Sequence, residues 1–154
     1  MIDPYVNGLK GDFAAEITGV NLKSSLTNHQ FEIIHDAVDA HCVAVFRNQF
    51  IKDDALIAFA ERFGPLETPL ARDQYGGIDE RITMLSNVGD DGEVMAIEDK
   101  HLIFMKGNLL WHSDSSYKPV PSTYSILAAQ EVPTLGGETE FADARACYDD
   151  WHGP

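Results

Sequence analysis

The chain has 154 residues, 44% of them hydrophobic, and 25 acidic against 11 basic side chains give a formal charge of −14 at pH 7. That length suits one domain with a sizeable core, and the charge opposes binding to nucleic acid or to an anionic membrane, since both need a basic footprint. No apolar stretch approaches the roughly 20 residues that span a bilayer, no secretory signal precedes Pro4, and Cys42 and Cys147 fit no metal-ligand spacing, so a reduced, cytoplasmic protein with a small-molecule partner is expected. Composition leaves a homo-oligomer open.

Thr27-Asn28-His29-Gln30 has the form of a capping box, and Phe31, Ile34, Ala37 and Val38 recur behind it at helical spacing, which predicts a helix of about three turns. Residues 41–47, rich in Val and Phe, suit a short buried strand that Asn48-Gln49 turns out of. Asp53 or Asp54 then caps a second helix. It carries Leu56, Ile57, Phe59, Ala60 and Phe63 inward and stops at Gly64-Pro65.

Residues 66–80 are rich in Gly, Pro and charge and read as a loop, of the kind that often carries substrate contacts. A strand is expected at 81–86, a turn at Asp90-Asp91-Gly92, and, after a poorly patterned stretch, an extended segment around Trp111 and His112. Residues 122–130 alternate enough for another strand. Gly136-Gly137 reads as a tight turn before strand 138–141, and a helix starts at Asp143.

The segment Trp111-His112-Ser113-Asp114 carries the chemistry. Residues two apart on a strand share a face, so His112 and Asp114 can reach one metal ion from the same side. They make up two-thirds of a 2-His-1-carboxylate set, which occupies one face of an octahedral Fe(II) and leaves three positions open. His112 must be neutral to donate its lone pair, and its other nitrogen needs a hydrogen-bond partner to fix the ring. Trp111 points to the opposite face, where packing is its expected role. No Gly-x-Ser-x-Gly elbow or other base arrangement accompanies Ser113, Ser115 or Ser116, which argues against a serine hydrolase. His29, His35 and His41 sit on or beside the first helix as surface or packing residues, and His101 has no assigned role.

The run from 108 to 141, opening Asn-Leu-Leu-Trp-His-Ser-Asp and closing Gly136-Gly137-Glu138-Thr139-Glu140-Phe141, resembles the taurine/2,4-dichlorophenoxyacetate dioxygenase family of 2-oxoglutarate-dependent enzymes. Val45-Phe46-Arg47, the run from Ile57 through Phe63-Gly64-Pro65-Leu66-Glu67, Leu85-Ser86-Asn87-Val88 and the closing segment from Phe141 agree with it in order, and the likeness is strongest to the aryloxyacetate branch.

The resemblance implies an α+β, mainly β fold, a double-stranded β-helix or jelly roll with flanking helices. It implies that Fe(II) is held by His112 and Asp114 and that 2-oxoglutarate is the co-substrate. Oxygen completes the site, and the enzyme hydroxylates a small organic acid, aryloxyalkanoate- or sulfonate-like, as 2-oxoglutarate is decarboxylated to succinate. Thr139 matches the threonine whose hydroxyl meets a carboxylate of 2-oxoglutarate. Asn108 matches an amide near the co-substrate, with a turn residue as the alternative. Arg72 falls where aryloxyacetate-using relatives carry a lysine for the substrate carboxylate, and a guanidinium there would bind it bidentately, with a solvated loop charge as the alternative. Glu93 replaces a second basic residue, which argues against 2,4-dichlorophenoxyacetate itself.

The family pattern continues with a second histidine and an arginine that this chain does not contain in matching context; His152 lacks the flanking residues. Residues 1–154 are therefore expected to be the amino-terminal part of a single dioxygenase domain, inactive alone and with its third metal ligand unidentified. Two alternatives remain: a non-catalytic jelly-roll binding protein or truncated pseudo-enzyme, and a zinc hydrolase, which would need a third ligand and an activated water.

Overall fold

The computed structural model describes residues 2–67, 81–89 and 91–151. They form two compact units, residues 1–63 with 127–154, and residues 64–126.

The first unit is built on a three-stranded sheet in the order β1-β2-β3. Strands β1 (Tyr5–Lys10) and β2 (Phe13–Thr18) form an antiparallel hairpin in which Lys10 faces Phe13 across a two-residue Gly11-Asp12 link. Gly11 takes φ 56°, the left-handed value a hairpin turn needs at its first central position and glycine accepts without strain. The short β3 (Ala44–Val45) runs parallel to β2, with Ala15 opposite Ala44. Because strand side chains alternate, Ala15 and Ile17 of β2 both face inward and are buried.

Helix α1 (Asn28–His41) covers that face. The Thr27 hydroxyl accepts from the Gln30 N–H while the Gln30 side chain accepts from the Thr27 N–H, both at 3.1 Å, so the capping box forms as the sequence predicts. Gln30 is buried and also donates to the Ile2 carbonyl at 3.0 Å, which satisfies its amide. Ile34 and Ala37 pack with Ile17, Leu22, Ile51 and Phe59 as the core.

Helix α2 (Asp53–Ala60) starts one residue earlier than the carboxylates suggested. Its N-cap is Lys52, without a side-chain cap bond. Asp53 and Asp54 instead occupy the first turn, where their charge complements the helix dipole. Edge-on ring contacts link Phe46 to Phe59 at 5.8 Å, Phe59 to Phe63 at 5.4 Å and Phe63 to Phe31 at 4.8 Å, with the Arg62 guanidinium 4.4 Å above Phe31.

Residues 127–151 return to this unit. Gln130 donates to the Ile51 carbonyl at 3.3 Å. Asp143 caps a short helix near the end of the chain, accepting from the Arg145 N–H at 2.9 Å, as expected. The Arg145 guanidinium donates to the carbonyl oxygens of Asp39 and Ala40, each at 3.2 Å, and so occupies acceptors that the last turn of α1 cannot pair internally.

In the second unit the chain turns around Gly92 (φ 80°), whose N–H donates to the Gly89 carbonyl, with Val88 bridging Val94 and the Met95 N–H donating to the Asn87 carbonyl; Asp90 of the expected Asp90-Asp91-Gly92 turn lies outside the described residues. Helix α3 (Lys100–Met105) and a 3-10 turn, Lys106–Leu109, follow in the stretch that carries no clear sequence pattern. With α4 (Ala144–Asp149) already described as the helix behind Asp143, the described residues hold four α-helices against three strands.

The α+β expectation is met in this partial form. The strands expected at 81–86, around His112, at 122–130 and at 138–141 do not form ladders among the described residues. Extended backbone becomes a strand only when a neighbour pairs with its N–H and C=O groups, and β1, β2 and β3 make the only sheet described here. Trp111 is correspondingly exposed rather than packed, with 69% of its surface open, because no second layer among the described residues covers it.

Candidate functional site

His112 and Asp114, the pair expected to meet a metal, lie in the second unit. The 3-10 turn ends at Leu110, whose φ −91° and ψ 146° send the chain into extended backbone. Residues 111–113 carry no regular secondary structure and a turn begins at Asp114, closed by the Lys118 N–H donating to the Ser115 carbonyl at 2.9 Å. Ser115 sits at φ 55°, a left-handed value that costs a residue with a Cβ about 1–2 kcal/mol.

His112 Nε2 and Asp114 Oδ1 are 3.2 Å apart. The two side chains come together as the two-residue spacing anticipated, although no strand forms there and the chain turns at Asp114. His112 Nδ1 is 2.7 Å from the Leu110 carbonyl. A carbonyl can only accept, so Nδ1 is the nitrogen that donates to it, and Nε2 is left facing the Asp114 carboxylate. Metal–ligand bonds of about 2.1 Å at right angles put adjacent donor atoms about 3 Å apart, so the pair fits one edge of an octahedron. Both side chains are about half exposed, which leaves the pair accessible. Among the described residues no third His, Cys, Asp or Glu joins them in a cluster.

A polar knot lies beside this turn, and it was not legible as a site in the sequence. The Glu67 carboxylate accepts from the Ser115 hydroxyl at 2.6 Å, from the Lys118 ammonium and from the Ser122 hydroxyl. Lys118 has only 8% of its side chain exposed. These donors hold the Glu67 pKa down to about 2 from an ordinary 4.5, Lys118 contributing most, then Ser115 and Ser122. The signal available in the sequence was the spacing of Ser115, Lys118 and Ser122 behind the metal motif; their common acceptor, about 50 residues upstream, has no local signature.

Asn108 lies in the 3-10 turn, exposed, with its amide 3.9 Å from the Met105 sulfur. Thr139 belongs to the first unit, exposed and in unpaired backbone behind Gly136 (φ 77°) and Gly137 (φ 76°). A side chain on Gly137 would stand 3.0 Å from the Pro133 ring, so the left-handed turn before Thr139 is reserved for glycine on two counts. Arg72 and His152 lie outside the described residues. Cys42 and Cys147 are both free and exposed, and no helix among the described residues is long and apolar enough to cross a membrane.

Comparison with known proteins places the geometry in context. Residues 6–152 match the family described as taurine catabolism dioxygenase TauD, TfdA family. The chain is 37% identical over 150 residues to the alpha-ketoglutarate-dependent 2,4-dichlorophenoxyacetate dioxygenase of Cupriavidus pinatubonensis, covering 93% of this chain and 51% of that protein. It is 39% identical over 139 residues to the (S)-phenoxypropionate/alpha-ketoglutarate-dioxygenase of Delftia acidovorans, covering 88% and 44%. The crystal structure of AAD-2 in complex with Mn(II) and N-oxalylglycine superposes with a TM-score of 0.83 at 36% identity, over 97% of this chain and 50% of that one. The chain thus spans about half the length of the relatives it matches.

Proposed function

The chain belongs to the taurine catabolism dioxygenase TauD, TfdA family, and we propose that residues 1–154 form part of one double-stranded β-helix domain of an Fe(II)- and 2-oxoglutarate-dependent dioxygenase. Its substrate is a small organic acid of the aryloxyalkanoate or sulfonate class. The observation that carries the reading is the His112 Nε2 to Asp114 Oδ1 approach at 3.2 Å, with His112 Nδ1 tied to the Leu110 carbonyl. The Mn(II) and N-oxalylglycine of the AAD-2 structure stand in for Fe(II) and 2-oxoglutarate in a chain of this fold, and support the same assignment.

When bound, the iron and 2-oxoglutarate supply the oxygen chemistry: substrate, 2-oxoglutarate and O2 become hydroxylated substrate, succinate and CO2. The residues of this chain bind and orient. His112 donates a neutral nitrogen whose direction the Leu110 carbonyl fixes, and Asp114 offsets one of the two positive charges. Thr139 donates its hydroxyl to a 2-oxoglutarate carboxylate, and Asn108 supplies an amide to co-substrate or substrate. Arg72 pairs with the acid group of the substrate. The zinc hydrolase alternative shares the His112-Asp114 pair but would turn over without 2-oxoglutarate.

Succinate release from 2-oxoglutarate under Fe(II) and ascorbate tests this, using the protein expressed from the whole reading frame and a panel of aryloxy and sulfonate acids. Substrate-dependent succinate that His112→Ala abolishes is the expected result. A folded, metal-loaded protein that forms no succinate, or one that hydrolyses substrate with Zn(II) alone, would overturn it.

A further inference from the structure

We propose that Glu67 is the positioning residue for Asp114, pinning through Ser115, Lys118 and Ser122 the turn that aims this carboxylate at the metal. The inference rests on the metal role given to His112 and Asp114 above. Ser115 follows Asp114 directly in the chain and holds a left-handed φ of 55°, a conformation that a residue with a side chain keeps only when its surroundings fix it. Two ties are local: the Lys118 N–H to the Ser115 carbonyl at 2.9 Å and the Ser116 hydroxyl to the Ser113 carbonyl at 3.2 Å. The third comes from far along the chain, because Glu67 stands 48 residues before Ser115.

Its two oxygens divide the work. Oε1 takes the Lys118 ammonium, and Oε2 takes the hydroxyls of Ser115 and Ser122. An exposed ion pair alone would contribute little order. Here the ammonium is almost wholly covered, and three donors from an eight-residue stretch converge on one carboxylate. A shift in Ser115 moves the Asp114 backbone with it. Groups that orient metal ligands in this way typically change metal affinity 10- to 100-fold when removed.

The test is a Co(II) titration of the protein expressed from the whole reading frame, followed by visible absorbance, with thermal unfolding run in parallel. Glu67→Gln should weaken Co(II) binding about tenfold or more. Ser115→Ala should do so comparably, and the double variant should be no worse than the stronger single, since both cut one linkage. Thr27→Ala, which destabilises the first unit by removing a helix cap, controls for lost stability and should leave the Co(II) affinity unchanged. Unchanged affinity in Glu67→Gln, or a loss matched by Thr27→Ala, would overturn the positioning role while leaving the metal site standing. Co(II) binding that His112→Ala does not affect would overturn the metal reading and this inference with it.

Discussion

The His112 ring nitrogen Nε2 faces Asp114 Oδ1 at 3.2 Å while the opposite nitrogen is held by a backbone carbonyl. One consequence is that the two residues act as a unit. Either His112→Ala or Asp114→Ala should weaken divalent-metal binding by more than about 100-fold, beyond the range of changes that only reorient a ligand. Isothermal titration with Mn(II) or Co(II) measures it, and retention of affinity by either variant would remove that residue from the ligand set.

Glu67 links stability to acidity. Its folded pKa of about 2 lies below the ordinary 4.5, so the unfolded chain binds the proton more readily. The contribution of this group is therefore complete above pH 4.5 and disappears as pH falls from there toward about 2. The gap in thermal midpoint between the native protein and Glu67→Gln should be widest near neutral pH and close across that window. A gap that is constant with pH would show that the carboxylate is not preferentially stabilised by its three donors.

Thr27→Ala should cost about 1 kcal/mol of stability, because it removes the acceptor for the Gln30 N–H and breaks a reciprocal cap. Chemical denaturation reads this directly. A loss below a few tenths of a kcal/mol would mean that the buried Gln30, still tied to the Ile2 carbonyl, holds the helix start unaided.

Phe59→Ala should cost about 3–5 kcal/mol, the range for truncating a buried aromatic residue. Phe59 is 7% exposed and makes edge-on contacts with both Phe46 and Phe63, so its loss leaves a hole that neither neighbour can fill without leaving its own partners. Denaturant midpoints on this variant and on Phe59→Leu separate the volume effect from the ring contacts.

Thr139→Val removes one hydroxyl at nearly constant volume. If that hydroxyl meets a carboxylate, the expected loss is about 1.5–3 kcal/mol of co-substrate binding, a rise of roughly 10- to 150-fold in KM for 2-oxoglutarate with a smaller change in kcat. An unchanged KM would return Thr139 to the role of a residue that follows a glycine turn.

What could be read from sequence divides along the range of the interactions. The cap at Thr27, the helix behind it, the turn at Gly92 and the start of α4 at Asp143 are encoded within a few residues, and each formed as expected. The His112 and Asp114 approach was anticipated by their two-residue spacing, although no strand forms there. The β1-β2 hairpin escaped notice because its exposed first strand, interrupted by Gly8, shows little alternation, and only β2 carries a buried face. The strands expected after residue 80 form no ladders among the described residues for a different reason: alternation reports which way side chains point, while pairing depends on a partner elsewhere. The same applies to Glu67, whose three donors lie 48, 51 and 55 residues away.

The bonds from Arg145 to the carbonyls of Asp39 and Ala40 also set a timetable for synthesis. The last turn of α1 leaves the ribosome long before the guanidinium that completes it, a separation of 106 residues for the Asp39 carbonyl. At ordinary elongation rates of about 5–20 residues per second, that is a wait of roughly 5–20 s. During it, the C-terminal end of the helix must be satisfied by water. A nascent chain halted before Arg145 should accordingly be cut more readily by protease near residues 38–42 than one halted just after it clears the exit tunnel, so the growing chain would gain its protection in a late, discrete step.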